Sequence, residues 1–343
     1  MSPRIRIEPH QVSADDAAAL RDSAIVAEPA VAQIELSGPG AVTAFQGLLT
    51  NDIEKPGDGA FLYGALLTPK GMVRVEGWVA RSATRVTFSV PAVAAQAAME
   101  ILTRYVPPRL ARSTDRSAEA GVLRVAGPRA LAIAATAGLP LPATPGGVLT
   151  ATAFGRTFDV AQPGEAGPPP FALQIAATRD TLQHVGTRLA AAGARPAPAA
   201  ILELSRVLAG WPSVGAEVDD KALPQEIRFD EVGGVSYTKG CYTGQETVSR
   251  LHFRGHANRT LRGLVFDGVP DGAPSTTVLY QDRDVGMLTS LAWQPQGGGP
   301  DRGRWIGLAV LRREVTPGAM VRTMAVDARV VDLPFEATHV IPA

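Results

Sequence analysis

Eight consecutive residues, Lys239-Gly-Cys-Tyr-Thr-Gly-Gln-Glu246, gather an amine, the chain's single thiol, a phenol, an amide and a carboxylate around two glycines. A packed core has no need of that mixture. A tight turn at a pocket wall would use it, with Gly240 and Gly244 supplying positive φ or close backbone approach. A lysine close to a thiol favours the thiolate, so Cys241 with Lys239 forms the candidate catalytic pair. An equally weighted alternative is a turn whose glycines serve geometry alone and whose cysteine is a small buried hydrophobe.

Downstream, Arg250, Arg254, Arg259 and Arg262 join Lys239 against Glu246 alone. This local excess could hold phosphates or ligand carboxylates, or be a solvated face. The whole chain carries 33 basic and 33 acidic residues, so no net field draws it to nucleic acid or an anionic bilayer. His252 and His256 have helical metal-ligand spacing, yet Gly255 interrupts the helix and no third ligand follows, so no metal site is expected. A lone cysteine cannot make a disulfide or a thiolate-only cluster within the chain. Gly38-Pro-Gly40 lacks the third glycine of a dinucleotide fingerprint, and neither a phosphate-binding glycine loop nor a nucleophile elbow occurs.

The elements that must position these residues repeat. The strand around Ile34 and Leu36 runs into Gly38-Pro39 and a helix with Val42, Phe45, Leu48 and Leu49 on one face. Val122–Val125 runs into Gly127-Pro128 and an apolar helix stopped by Gly138. In each copy a later strand, Val86–Val90 or Phe171–Ile175, feeds a second helix, ending near Arg104 or Gly193. The spacing predicts a duplicated α+β unit. A further helix, Ala199–Ala209, is closed by Gly210 and Pro212. Beyond His256, runs at 260–266, 277–280, 285–292, 305–311 and 320–331 predict a small antiparallel barrel or sandwich, with 297–303 as a solvent loop. The expected division is 1–115 and 116–255 for the two α+β repeats and 256–343 for the barrel. Residues 1–9 hold no hydrophobic leader, and no run reaches the roughly 18 apolar residues of a membrane span, which points to the reducing cytoplasm and no membrane partner.

The octapeptide resembles the signature of the YgfZ-like branch of the glycine-cleavage T-protein (aminomethyltransferase) superfamily. Leu223-Pro-Gln-Glu226, Arg250, Ser205-Arg206 and Gly210-Trp-Pro212 are similar to the same branch. Phe45-Gln-Gly-Leu-Leu-Thr-Asn-Asp52 and Leu67-Thr-Pro-Lys-Gly71 resemble the superfamily's first block, and Gly286-Met-Leu-Thr-Ser290 with Ile306-Gly-Leu-Ala309 its C-terminal domain. The resemblance covers roughly residues 30 to 335. It implies three domains around a central channel that binds tetrahydrofolate, and a role in assembly or repair of iron–sulfur enzymes linked to tRNA modification, with iron–sulfur client proteins as partners and no stable nucleic-acid binding. The implied cofactor-binding set is Asn51, Asp52, Arg206, Tyr242, Gly244, Gln245, Glu246 and Arg250. Tyr242 or Phe45 offers a ring to stack on the pterin, and Asn51, Gln245 or Glu246 could pair its edge. Aminomethyl transfer is not expected, because the transferase's acidic pair falls at Arg74 and Val75 and its Gly-Tyr-Thr-Gly-Glu block has no counterpart around 158–171. A pure interaction module for an iron–sulfur client is the rival from another class.

Overall fold

The computed structural model describes residues 4–270, 275–296 and 302–335. Two open sheets with helices on their outer faces stand beside a closed barrel. The first sheet runs in the order 61–67, 73–82, 85–91, 31–37 and 112–115, all antiparallel. Helices Ala41–Gln46 and Ala95–Tyr105 cover its outer face, burying Phe45, Phe88, Leu66 and Leu102. Each such side chain contributes on the order of 2 kcal/mol by leaving water. The second sheet repeats the plan with strands 148–153, 156–161, 173–178 and 120–126 under helices Ala130–Thr136 and Arg179–Ala191.

The duplication is visible down to the turns. Gly38 (φ +144°) and Gly127 (φ +116°) end equivalent strands, and a Cβ on either would strike a backbone oxygen, of Leu110 at 2.6 Å or of Ser23 at 2.5 Å. Correspondingly, Leu110 O accepts from Gly40 N and Ser23 O from Arg129 N. Both turns close so tightly on a neighbouring strand that only glycine fits.

That equivalence also shows where the chain departs from expectation. Arg112–Asp115 completes the first sheet, but the matching strand of the second is Ile25–Ala27. Strand Ile5–Ile7 pairs in parallel with Ser290–Ala292 of the barrel. Strands Ile5–Ile7 and Ile25–Ala27, read with the first repeat, therefore serve the other two units. Strands of three residues carry too little periodicity to be read.

The barrel closes through six strands: 283–295, 277–280, 320–323, 326–331, 259–266 and 303–312, the last returning to the first. The expected run 320–331 is a tight hairpin turning at Met324 and Ala325, both with positive φ. Of the expected loop 297–303, residues 297–301 lie outside those described. The two open sheets present their inner faces to each other and are bridged at their edges by Ala60 and Gly147. Helix Ala200–Ala209 fills the opening between them and is ended by Gly210 in the left-handed region. The barrel packs behind that helix, with Ala292, Ile306 and Leu308 sharing the central core. Among the described residues no helix is long and apolar enough to cross a membrane.

Candidate functional site

The octapeptide docks on the first repeat. Its lysine is buried, 8 % exposed, and its Nζ donates to the carbonyls of Gln46 (2.6 Å), Leu49 (2.6 Å) and Asn51 (2.8 Å). These belong to the turn that follows helix Ala41–Gln46, where carbonyls have run out of helical partners. The ammonium also stands 5.1 Å from the centre of the Tyr242 ring. Burial pulls the Lys239 pKa down to about 8, against the opposing pull of Asp52 and Glu54. Lys239 is thus a clip between two segments far apart in sequence rather than a charge kept for the neighbouring thiol.

The surrounding bonds tighten the same seam. Thr50 Oγ1 donates to Gly234 O and accepts from Ala65 N, while Ser236 N donates to Thr50 O and Thr243 N to Gly47 O. Asn51 Nδ2 donates to the carbonyls of Tyr63 and Gly233, so the side chain expected on a pterin edge is used inside the protein. Asp52 accepts from Gln46 Nε2 and from the amides of Glu54 and Lys55; burial works against its charge, but these donors hold its pKa below the usual range. Phe45 is fully buried edge-on to Phe88 and offers no stacking face. Tyr242 is buried too, with a hydroxyl that has no partner among the described residues.

The two glycines of the motif differ. Gly244 has φ +83°, and its Cβ would lie 2.5 Å from Thr68 O. It faces Gly71 (φ +86°), whose own Cβ would strike Thr247, so both turns need glycine to meet. Gly240 has neither a positive φ nor any atom within 4 Å of a Cβ position, so the expected constraint is absent there. Cys241 is exposed beside it, not buried as a hydrophobe. Gln245, Glu246 and Arg250 begin helix Gln245–Arg254, with Glu246 and Arg250 exposed.

Arg206 lies elsewhere. It is one wall of a cavity of about 110 Å³ between the inner faces of the two sheets and helix Ala200–Ala209. Its guanidinium donates to Glu203, Glu217, Trp211 O and Ser290 Oγ, all between 2.8 and 2.9 Å. Burial opposes its charge, yet Glu217 and Glu203 raise its pKa above the ordinary arginine range. Among the described residues none of the barrel lines this cavity; the barrel touches Arg206 through Ser290, one layer behind the helix, whereas the expected channel had the barrel as a wall. Trp78 lies at the centre of an aromatic cluster, near-parallel to Trp211 at 5.5 Å and edge-on to Phe171 at 4.9 Å, with Tyr63 5.3 Å away. Pro29, Ala30 and Ala199 form an outer rim in which Ala30 and Ala199 are exposed.

The chemistry on this floor was missed in the sequence. Glu76, 4 % exposed, accepts from Val214 N (3.1 Å) and Ser213 Oγ (3.3 Å), both on its Oε1. Burial raises its pKa from the usual carboxylate value, against the pull of Val214 N, the Tyr63 hydroxyl, Ser213 Oγ and Arg206. Trp211 Nε1 is a buried donor with no acceptor among the described residues. The signal available was one acid within Val73-Arg-Val-Glu-Gly-Trp-Val-Ala80, an otherwise apolar strand. Alternation sends Arg74, Glu76 and Trp78 to one face; Arg74, nearest the end, emerges into solvent and bonds Asp220, while Glu76 faces the cavity. One residue beyond Arg74 and Val75 the strand thus does carry an acid, and it is buried.

Comparison with known proteins agrees with this architecture. The GCVT N-terminal domain family matches residues 6–141. The tRNA-modifying protein YgfZ of Vibrio vulnificus strain YJ016 is 34 % identical over 128 residues, 36 % of this chain and 38 % of that protein. The YgfZ of Cronobacter sakazakii is 30 % identical over 119 residues, 33 % of this chain and 34 % of that protein. The chain therefore spans well under half the length of these relatives in alignment. In structure, the glycine cleavage aminomethyltransferase T of Bartonella henselae superposes with a TM-score of 0.76 at 18 % identity, covering 96 % of this chain and 90 % of that one. Residues 6–141 thus match the GCVT N-terminal domain, and the chain is similar to YgfZ proteins in part of its sequence and to the glycine-cleavage T protein in fold. In this chain the octapeptide and the central cavity are two places, joined through Tyr63, whose carbonyl accepts from Asn51 and whose ring lies at the cavity wall.

Proposed function

We propose that the chain binds a reduced folate, tetrahydrofolate or a derivative, with the pterin ring in the central cavity. The observation that carries this reading is a buried acid and an indole N–H, Glu76 and Trp211, set about the Tyr63 phenol on the aromatic floor of the cavity. A pterin is flat, donates two hydrogens from one edge and accepts at its carbonyl, which complements a carboxylate, an indole N–H and stacked rings. Donation to Glu76 would favour its ionised form, offsetting the cost of its burial. The cavity of about 110 Å³ is smaller than a whole pterin, so the ring would enter edge-first from the rim, with the aminobenzoyl-glutamate outside it. Titration calorimetry with 5-formyltetrahydrofolate tests this: micromolar binding is expected, weakened roughly tenfold or more in Glu76→Gln as a charge-assisted pair is lost. No heat with the wild-type protein would remove the reading.

From that site we place the protein in the cytoplasm, in assembly or repair of iron–sulfur enzymes, including those of tRNA modification, with such enzymes as its partners. The name borne by the relatives supports this, as does an exposed thiol on a turn docked firmly enough to present it. A deletion strain rescued by wild-type protein and not by Cys241→Ser is the expected result; equal rescue at equal expression counts against a role for the thiol.

Glu76 favours a second reading, folate-dependent one-carbon transfer, since a buried acid of raised pKa can handle a proton at a folate nitrogen. Tetrahydrofolate-dependent ammonia release from an aminomethylated lipoyl carrier would select it over binding alone.

A further inference from the structure

Two arginines line the cavity, and their surroundings are opposite. Arg206 is engaged by Glu203 and Glu217. Arg124, beside the rim on strand Ala120–Ala126, has no carboxylate within ion-pair distance among the described residues. Its Nε and Nη2 donate to the neutral Gln174 Oε1 at 3.2 and 3.1 Å, and its plane lies 4.3 Å over the Phe171 ring. Gln174 in turn donates to Ser89 Oγ, which is paired with Gln33, so two inner-sheet faces hold the guanidinium in place. Burial without a bonded anion lowers its pKa to about 10, with Glu76 and Glu203 acting only through space. A fixed, half-buried cation with an uncommitted Nη1 has already lost most of its solvation and side-chain freedom, so an arriving anion gains a charge-assisted bond at little further cost.

We propose that Arg124 is the specificity residue of the cavity, pairing with a carboxylate on the tail of the bound molecule as that tail leaves by the rim. The inference rests on the folate reading, in which the glutamyl group supplies that carboxylate. Glu203 on the opposite rim bonds Arg206 through Oε2 and makes no ion pair with Arg124.

The test compares 5-formyltetrahydrofolate with its glutamyl diamide, which has the same ring, benzoyl group and shape but no tail charge. Calorimetry on the wild-type protein is expected to favour the diacid by roughly 10- to 100-fold, the range of one charge-assisted bond. Arg124→Gln, which can still bond Gln174, should bind both compounds alike and hold the diamide about as well as wild type does. Arg124→Lys keeps the charge but not the fork and should keep only part of the preference; if Arg124→Gln does not fold, an undiminished preference in Arg124→Lys overturns the inference. Wild-type binding of both compounds without preference, or a preference that survives in Arg124→Gln, overturns the inference. Wild-type binding of neither compound fails the folate reading itself.

Discussion

The octapeptide seam and the central cavity are both polar patches between segments distant in sequence, and they end in opposite states. At the seam nearly every donor is spent: Lys239 on three carbonyls, Asn51 on two, Thr50 on both sides of its hydroxyl. At the cavity the Trp211 indole N–H finds no acceptor among the described residues, and Arg124 bonds only the neutral Gln174, through Nε and Nη2. Residues that are conspicuous in the sequence hold the protein together here, and inconspicuous ones face the empty space. Cys241 is the exception, conspicuous and exposed.

The contrast breaks most readily at Lys239. Lys239→Met removes the cation and leaves three turn carbonyls short of a donor, so thermal unfolding should show a loss of about 4 kcal/mol. A loss under about 1 kcal/mol would mean that water replaces the ammonium and the seam is not a clip. Next comes Gly244→Ala, which combines positive φ with a carbonyl 2.5 Å from the new Cβ and should cost about 3 kcal/mol, whereas Gly240→Ala should be near neutral. Equal effects of the two substitutions would erase the distinction between the motif's glycines.

On the cavity side the expected effect is smaller and depends on pH. The folded-state pKa of Glu76 is raised above its unfolded value near 4.5, so the folded form binds its proton more tightly. Its stabilising contribution is full below that unfolded pKa and is lost as pH rises through the folded one. Glu76→Gln should therefore gain stability relative to wild type as pH climbs from about 4.5 toward neutrality, read as diverging denaturant midpoints. Parallel midpoints would put the carboxylate in a better solvated place than its burial suggests. The smallest effect belongs to Cys241→Ser, where an exposed side chain should change stability by under about 0.5 kcal/mol, whatever it does to rescue of a deletion strain.

The duplication could be read from Gly38-Pro39 and Gly127-Pro128 because a turn that admits only glycine marks the sequence at each copy. The barrel could be read from its alternating runs, and Gly210 from its place past an apolar helix. Strands Ile5–Ile7 and Ile25–Ala27 could not, since their partners lie far along the chain and three residues define no period. The site was harder for a related reason. Lys239 beside Cys241 in sequence suggests a shared environment, but the lysine turns into the seam while the cysteine faces out. Glu76 differs from a misplaced acid in an apolar strand only through Ser213 and Val214, which arrive from 137 and 138 residues away.

The lacing of strands Ile5–Ile7 and Ile25–Ala27 into the barrel and the second sheet has a consequence for biosynthesis. Ile25–Ala27 leaves the ribosome before any of the sheet it completes, and Ile5–Ile7 waits for Ser290–Ala292, made near the end. At roughly 5–20 residues per second that wait is on the order of tens of seconds. Throughout it the barrel edge that Ile5–Ile7 will flank does not exist, and the emerging segment must stay unpaired and protected. The first sheet, closed by its own Arg112–Asp115, is the one unit able to settle while the rest is still being made.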